Sequence, residues 1–209
     1  MVLGADIFIF REFMTQESLP LATLHGAVFE FLRDREDVVL FGAQAVNAYV
    51  GEPRMTQDID VLSVQAAEFA EALRLDLSQR FHIAVRVRSI KAGQGYRLYQ
   101  TQKSGNRHLV DVRQVKVLPP AQSMGQVLVM APTDLIVSKV ISYHQRRGKP
   151  KSGTDWRDLA MLLLTFPELK QASGPVLSGL QAAGANEAIL SVWQELVAME
   201  IETDTDDDF

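Results

Sequence analysis

Apolar residues recur with two different periods along this chain, and the changes of period predict its elements. Helical spacing alternates with short apolar runs up to residue 80, which predicts helices over 16–33, 43–50 and 66–80 and strands over 38–41 and 58–63. Strict alternation between turn signals then predicts a meander of short antiparallel strands over 83–130. Helical spacing returns after Pro132 and predicts helices over 133–146, 154–164 and 186–200.

These elements predict an α+β fold, with a mixed, mostly antiparallel sheet flanked by helices and a helical C-terminal part. We expect an α/β core over 1–130 and a helical subdomain over 131–200. An acidic segment over 201–209 closes the sequence. Such a charge run is typical of a disordered, solvated tail, and docking to a partner is the alternative.

Composition narrows the class of protein. Hydrophobic residues make up 47% and charged residues 22%, as in ordinary globular domains. The absence of cysteine excludes disulfides and thiolate chemistry, and no apolar run approaches the length of a membrane span. The apolar start lacks the features of a signal peptide, so a cytoplasmic protein is expected. The net charge of −5 argues against a nucleic-acid-coating surface but leaves room for a local basic groove.

The candidate chemistry begins with Asp58-Ile59-Asp60, which follows a glycine turn at Gly42-Ala43. Because side chains alternate on a strand, both carboxylates point to one face. Like charges placed side by side repel, so such a pair usually holds a cation, and oxygen ligands together with substrate phosphates suit Mg²⁺. The turn and the helix after it would offer backbone N–H groups to phosphates. The alternative is a strand entry with two solvent-facing acids.

A family resemblance favours the metal site. The spacing of the front motif resembles the signature of the polymerase-beta-type nucleotidyltransferase superfamily, and within it most closely the AbiEii/AbiGii-type toxins; the motif residues are Gly42, Ala43, Gly51, Arg54, Thr56, Asp58 and Asp60. Later family segments are matched by Lys139, Arg146-Arg147 and residues 154–159. The resemblance implies a nucleotidyltransferase that moves an NMP from an NTP to an acceptor hydroxyl with Mg²⁺.

The resemblance also implies roles for individual residues. Asp58, Asp60 and a third acid, for which Asp111 is the best candidate, would hold the metal, and Lys139 would join them in catalysis. The nucleotide would be bound by Gly42, Ala43, Arg54, Thr56 and Asp155.

Each role has a structural alternative. Asp111 could pair with Arg113 or Arg107 on an exposed strand. Lys139 could extend to the surface, Arg54 could be a solvated turn residue, and Asp155 could favour a helix start.

Other features bear on partners. The basic loop 146–151 could receive an acceptor such as tRNA, as the toxin resemblance implies, and that resemblance also implies a cognate antitoxin-like protein. Other acceptors, such as a small-molecule antibiotic, stay open. So does a non-catalytic member that binds nucleotide or a partner, because Ala43 supplies an N–H but no hydroxyl where the family has glycine or serine.

The four histidines show no metal-ligand spacing and are not expected in the site.

Overall fold

The structure of the protein is a computed structural model that describes residues 19–202. The predicted start of the first helix at residue 16, the apolar first ten residues and the acidic tail beyond residue 202 lie outside the described residues. Within the described part no helix is both long and apolar enough to cross a bilayer.

The described residues form seven α-helices and seven strands. The strands are β1 Val38–Phe41, β2 Ile59–Ser63, β3 Val85–Ile90, β4 Gly95–Gln102, β5 Gly105–Gln114, β6 Ala121–Met124 and β7 Val127–Met130. The helices are α1 Leu21–Leu32, α2 Gly42–Tyr49, α3 Ala66–Phe81, α4 Pro132–Gln145, α5 Lys151–Thr165, α6 Pro175–Ala182 and α7 Glu187–Ala198.

One sheet contains all seven strands in the order β3-β4-β5-β2-β1-β7-β6. The pairs β3/β4, β4/β5 and β1/β2 are antiparallel, whereas β2/β5 and β1/β7 are parallel. Only two residues join β6 to β7, and both have positive φ, as a tight hairpin requires. The α+β fold with a mixed, mostly antiparallel sheet is therefore confirmed.

Burial explains the placement of the central strands. All four residues of β1 are buried, as expected for a continuous apolar run with neighbours on both edges. On β2, Ile59 and Val61 are completely buried, while Asp60 between them is not. Helix α3 packs against β2, β3, β4 and β5, and its buried face includes Phe69, Leu73 and Leu77.

The chain divides into two compact units. The first comprises the described residues up to 44 together with 55–129, and the second comprises 45–54 together with the described residues from 130 onwards. The domains expected from the sequence, 1–130 and 131–200, stay predictions.

Two elements were not predicted individually, and the start of one helix was predicted wrongly. Strand β6 and helix α6 were not expected, because four residues of mixed polarity and a short helix after Gly174 carry little periodic signal. Helix α5 begins at Lys151, not at Thr154, whose hydroxyl donates to the Lys151 carbonyl at 2.9 Å instead of capping the helix. The loop between α4 and α5 therefore covers residues 146–150, one residue fewer than the predicted basic loop 146–151.

Candidate active site

The three predicted metal ligands lie in the first unit, on β2 and β5. The parallel register pairs Asp60 directly with Asp111, so the two carboxylates stand on one face of neighbouring strands. Asp58 immediately precedes β2, two residues before Asp60, and Thr56 Oγ1 lies 3.4 Å from its Oδ1. Ile59, between Asp58 and Asp60, and its register partner Val110 are completely buried.

The glycine turn approaches this acid pair closely. Gly42 begins α2 with a φ of +73°, a conformation that residues with a Cβ rarely adopt. A Cβ on Gly42 would lie 2.3 Å from Asp60 Oδ2 and 2.9 Å from Asp60 Cβ. Phe41 and Asp60 are register partners across β1 and β2, which places the turn beside the carboxylate. Glycine is therefore required here both for its backbone conformation and for space.

A histidine that sequence reasoning excluded completes the cluster. His108 Nδ1 lies 3.4 Å from Asp58 Oδ2, and its Nε2 lies 3.3 Å from Asp111 Oδ1. Strict alternation would put His108 and Asp111 on opposite faces, since they are three residues apart. The register between β4 and β5 shifts at Leu98/Tyr99, and this bulge turns His108 to the face of Asp111.

The surroundings keep Asp111 ionised. Burial raises the pKa of Asp111, but His108 and Arg97 outweigh it, so that its pKa lies below the ordinary value. Arg97 Nε donates to Asp111 Oδ1 at 2.7 Å. Contact with Asp111 raises the pKa of His108 against the effect of burial, and the Asp58 charge adds to the increase. The partners named in the structural alternative make other contacts: Arg113 lies over the Phe41 ring, and Arg107 donates to the Leu19 carbonyl.

These residues fit a divalent cation. One ligand atom each from Asp58, His108 and Asp111 lies within 4.8 Å of the others, and no other group of at least three potential ligands was found among the described residues. Ligand atoms bound at about 2.1 Å on opposite sides of one ion are about 4.2 Å apart, so small side-chain movements would close the site. His108 Nε2 is buried without a hydrogen-bond partner, because its approach to Asp111 is poorly aligned.

The second unit holds a separate cluster of charges around Asp158. Arg54 donates to both Asp158 oxygens at 2.7 and 2.9 Å, and Lys139 Nζ donates to Oδ2 at 2.5 Å. Asp158 is fully buried, and the Lys139 side chain is 8% exposed. Burial raises the pKa of Asp158, but the hydrogen bond from Arg54 and the charge of Lys139 produce a net decrease. Asn47 fixes the Arg54 backbone by exchanging hydrogen bonds of 2.8 and 3.0 Å with it.

Asp155 lies apart from that cluster on the same helix, where Arg146 donates to both its oxygens at 3.0 and 2.9 Å. It lies in the second turn of α5, so its alternative role at the helix start was wrong. The surface alternative for Lys139 and the solvated-turn alternative for Arg54 were also wrong, since both bind a buried carboxylate. Asp158 lies within residues 154–159, the segment that matches the family, but the sequence analysis gave it no role of its own. Leu159, the apolar residue after it, was the one local indication of its position in α5.

The predicted residues thus fall into two groups. The first unit brings together Asp58, Asp60 and Asp111 with Gly42, Ala43 and Thr56, and sequence reasoning missed His108 and Arg97 there. The second unit contains Arg54, Lys139 and Asp155. Ala43 is 8% exposed, so its backbone is what it can offer to a ligand.

Comparison with known proteins agrees with this architecture. The Megavirus polyadenylate synthase is similar with a TM-score of 0.58 and 13% identity over 79% of this chain and 36% of that chain. The chain thus spans about a third of the viral protein. JHP933 from Helicobacter pylori is similar with a TM-score of 0.51 and 10% identity over 86% of this chain and 93% of that chain. At such identities the likeness concerns the fold alone. No curated protein sequence matches.

A mixed sheet of this kind, with an acid pair beside a glycine turn, is the architecture of the nucleotidyltransferase class. Residues 27–177, well over half of the chain, match the family described as "Nucleotidyl transferase AbiEii toxin, Type IV TA system". The chain belongs to this family.

Proposed function

We propose that the protein transfers an NMP from an NTP to an acceptor hydroxyl in a metal-dependent reaction. One observation carries the proposal. Asp60 and Asp111 are register partners on neighbouring strands, and ligand atoms of Asp58, His108 and Asp111 lie within 4.8 Å of one another. Arg97 and His108 offset part of the negative charge of these acids, and a bound cation would compensate the rest.

Asp58, Asp60 and Asp111 would hold two Mg²⁺ ions in this reaction. Bound there, the two ions would stabilise the attacking oxygen of the acceptor and the leaving oxygen of pyrophosphate. Asp111 is kept ionised by Arg97 and His108 and would take the proton of the acceptor hydroxyl. The acceptor oxygen then bonds to the α-phosphorus while the bond to the bridging oxygen breaks, and pyrophosphate leaves.

The nucleotide contacts follow from the turn and from the family resemblance. The N–H groups of Gly42 and Ala43 lie in the first turn of α2, where unsatisfied donors favour phosphate oxygens. Thr56, beside Asp58, belongs to the same front motif. Arg54 and Asp155 stay predicted nucleotide contacts, and Lys139 stays a predicted catalytic residue. Lys139 has three N–H donors, and its hydrogen bond to Asp158 uses one of them.

Incorporation of label from an α-labelled NTP tests the reaction. Asp60→Asn should abolish incorporation, and the melting temperature should stay equal or rise, because a repulsive charge is removed. Asp76→Asn, on α3 in the same unit, is the matched control and should keep activity. An Asp60→Asn protein that still incorporates label would refute the mechanism. NTP binding without product in the parent protein would favour the non-catalytic alternative.

For the acceptor we propose a nucleic acid, with tRNA as the first candidate. Arg88, Arg97, Asp111 and Asp60 are successive register partners across β3, β4, β5 and β2, so a row of arginines leads to the acids. Arg86 and Arg88 are exposed and have no ion-pair partner among the described residues. In the predicted acceptor loop, by contrast, Arg146 and Arg147 are bound to Asp155 and Glu195. A basic row disfavours a cationic antibiotic as acceptor.

Salt-dependent RNA binding distinguishes the two basic surfaces. Arg86→Gln with Arg88→Gln should weaken tRNA binding and reduce its salt dependence by about two phosphate contacts. Arg147→Gln with Lys149→Gln should have the smaller effect. If only the loop variants weaken binding, the acceptor surface is the loop; if the parent binds no RNA, the nucleic-acid acceptor is refuted. We further propose a cytoplasmic site of action and a cognate antitoxin partner, testable by co-purification with the neighbouring gene product.

A further inference from the structure

We propose that His108 is a nitrogen ligand of the metal held by Asp58 and Asp111, and that it makes this site prefer Mn²⁺ over Mg²⁺. The inference rests on the proposed function for the presence of a metal, and it adds a ligand and an ion preference that the acid motif does not contain.

The geometry places the imidazole between the two carboxylates. Its nitrogens lie 3.4 Å from Asp58 Oδ2 and 3.3 Å from Asp111 Oδ1, distances typical of ligand atoms that share one ion. The β5 bulge has a specific consequence here, since it is what brings His108 to the metal-facing side of the sheet. Bulges next to active sites commonly redirect one side chain in this way.

The contacts of the ring indicate that it is positioned for a ligand and not satisfied by the protein. Tyr99 packs on the imidazole with ring centroids 5.1 Å apart and an interplanar angle of 33°, which restricts its orientation. Nε2 is buried, and its 3.3 Å contact with Asp111 Oδ1 lacks the alignment of a hydrogen bond. A buried polar atom without a partner is uncommon, because its lost hydration costs free energy, and a metal bond would satisfy it.

The ligand atoms of the site determine which divalent ion it binds more tightly. Mg²⁺ strongly prefers oxygen ligands and keeps several waters, so a nitrogen ligand adds little to its binding. Imidazole nitrogen binds divalent transition ions more favourably. Two carboxylates and one imidazole therefore favour Mn²⁺, which still accepts the oxygen ligands that a triphosphate would supply.

Pulsed EPR of the full chain with Mn²⁺ alone tests the inference directly. A bound imidazole produces ¹⁴N couplings in the Mn²⁺ spectrum of the parent protein, and this readout needs no variant. His108→Gln replaces the nitrogen by an amide oxygen and should remove the couplings. It should weaken Mn²⁺ binding by at least about tenfold, the lower limit seen when a metal site loses even an indirect partner. Mg²⁺ binding should stay nearly unchanged.

His82→Gln is the matched control. His82 is an exposed histidine of the same unit and directly follows α3. Its replacement should leave the ¹⁴N couplings intact. His108→Asn serves as a second variant if His108→Gln does not fold.

The outcomes separate this inference from the proposed function. Mn²⁺ binding without ¹⁴N couplings, or couplings that persist in both His108 variants, would overturn the role of His108 and leave the carboxylate mechanism intact. Equal loss of Mn²⁺ and Mg²⁺ affinity in His108→Gln would overturn the ion preference. Failure of the parent to bind Mn²⁺ would overturn the inference, while label incorporation would still decide the proposed function independently.

Discussion

Replacing Asp158 by asparagine removes the only carboxylate that the described structure places between Arg54 and Lys139. The change keeps the size of the side chain and deletes its charge. The Lys139 side chain, 8% exposed, would then retain a positive charge with little access to water. Removing one partner of a buried ion pair typically costs about 3–5 kcal/mol, because the remaining charge is left uncompensated.

Two further ion pairs of the same unit provide a graded comparison. Arg146–Asp155 joins a 40%-exposed arginine to a nearly buried carboxylate, so solvent screens part of the loss and Asp155→Asn should cost less than Asp158→Asn. Arg147–Glu195 is exposed on both sides, at 47% and 53%. Glu195→Gln should therefore change the free energy of unfolding by about 0–1 kcal/mol.

Urea denaturation followed by tryptophan fluorescence measures these effects where they arise. Both tryptophans, Trp156 and Trp193, lie in the second unit, and Trp193 is completely buried. With a slope of about 2 kcal/mol per molar urea, Asp158→Asn should lower the midpoint by about 1.5–2.5 M. Adding Lys139→Met should recover part of the loss, because no buried ammonium then remains. A midpoint shift for Asp158→Asn no larger than that for Glu195→Gln would refute the reasoning.

Two other predictions concern the buried carboxylate of Asp158 and the glycine turn at Gly42. The folded pKa of Asp158 lies below its ordinary value of 3.8, so its contribution to stability is present above that pH and is lost as the pH falls through the folded pKa. The parent should lose more stability than Asp158→Asn between pH 6 and pH 3, and parallel curves would contradict this. Gly42→Ala should displace Asp60, cost about 1–2 kcal/mol in backbone strain and abolish label incorporation. Gly26→Ala on α1, with nothing within 4 Å, should be neutral or stabilising in thermal unfolding; equal effects of the two changes would be inconsistent with the close approach.

Much of the fold follows from patterns within single elements. The apolar run of β1, the alternation of β3 and β4 and the stripe of α3 were predicted because each reports how one element meets the core. Asn186 illustrates the same point at a helix start, since its side chain accepts from the Ile189 N–H at 3.0 Å. Element ends were less well predicted because caps depend on contacts from outside the helix, as the early start of α5 shows.

The candidate site was predicted only where its geometry is local. Asp58 and Asp60 share a face because strand alternation is a property of the chain itself. His108 was excluded because the histidines show no metal-ligand spacing along the sequence. The bulge that turns it toward Asp111 arises only from the pairing of β4 with β5. Arg97, opposite Asp111 in the same pairing, was missed because nothing near it in the sequence indicates its partner.

By itself the amino-acid order determined the family signature, which is a pattern of residues and spacings. It also determined the glycine turn and the paired carboxylates, because these depend on backbone sterics over a few residues. Tertiary structure decided which groups those residues meet: Asp60 beside Asp111 through the parallel register of β2 and β5, and Arg54 on Asp158 across 104 positions of sequence. Strand register and ion pairing are settled by the joint packing of distant segments. No local period encodes that packing, so the charges around each carboxylate appear only in the folded molecule.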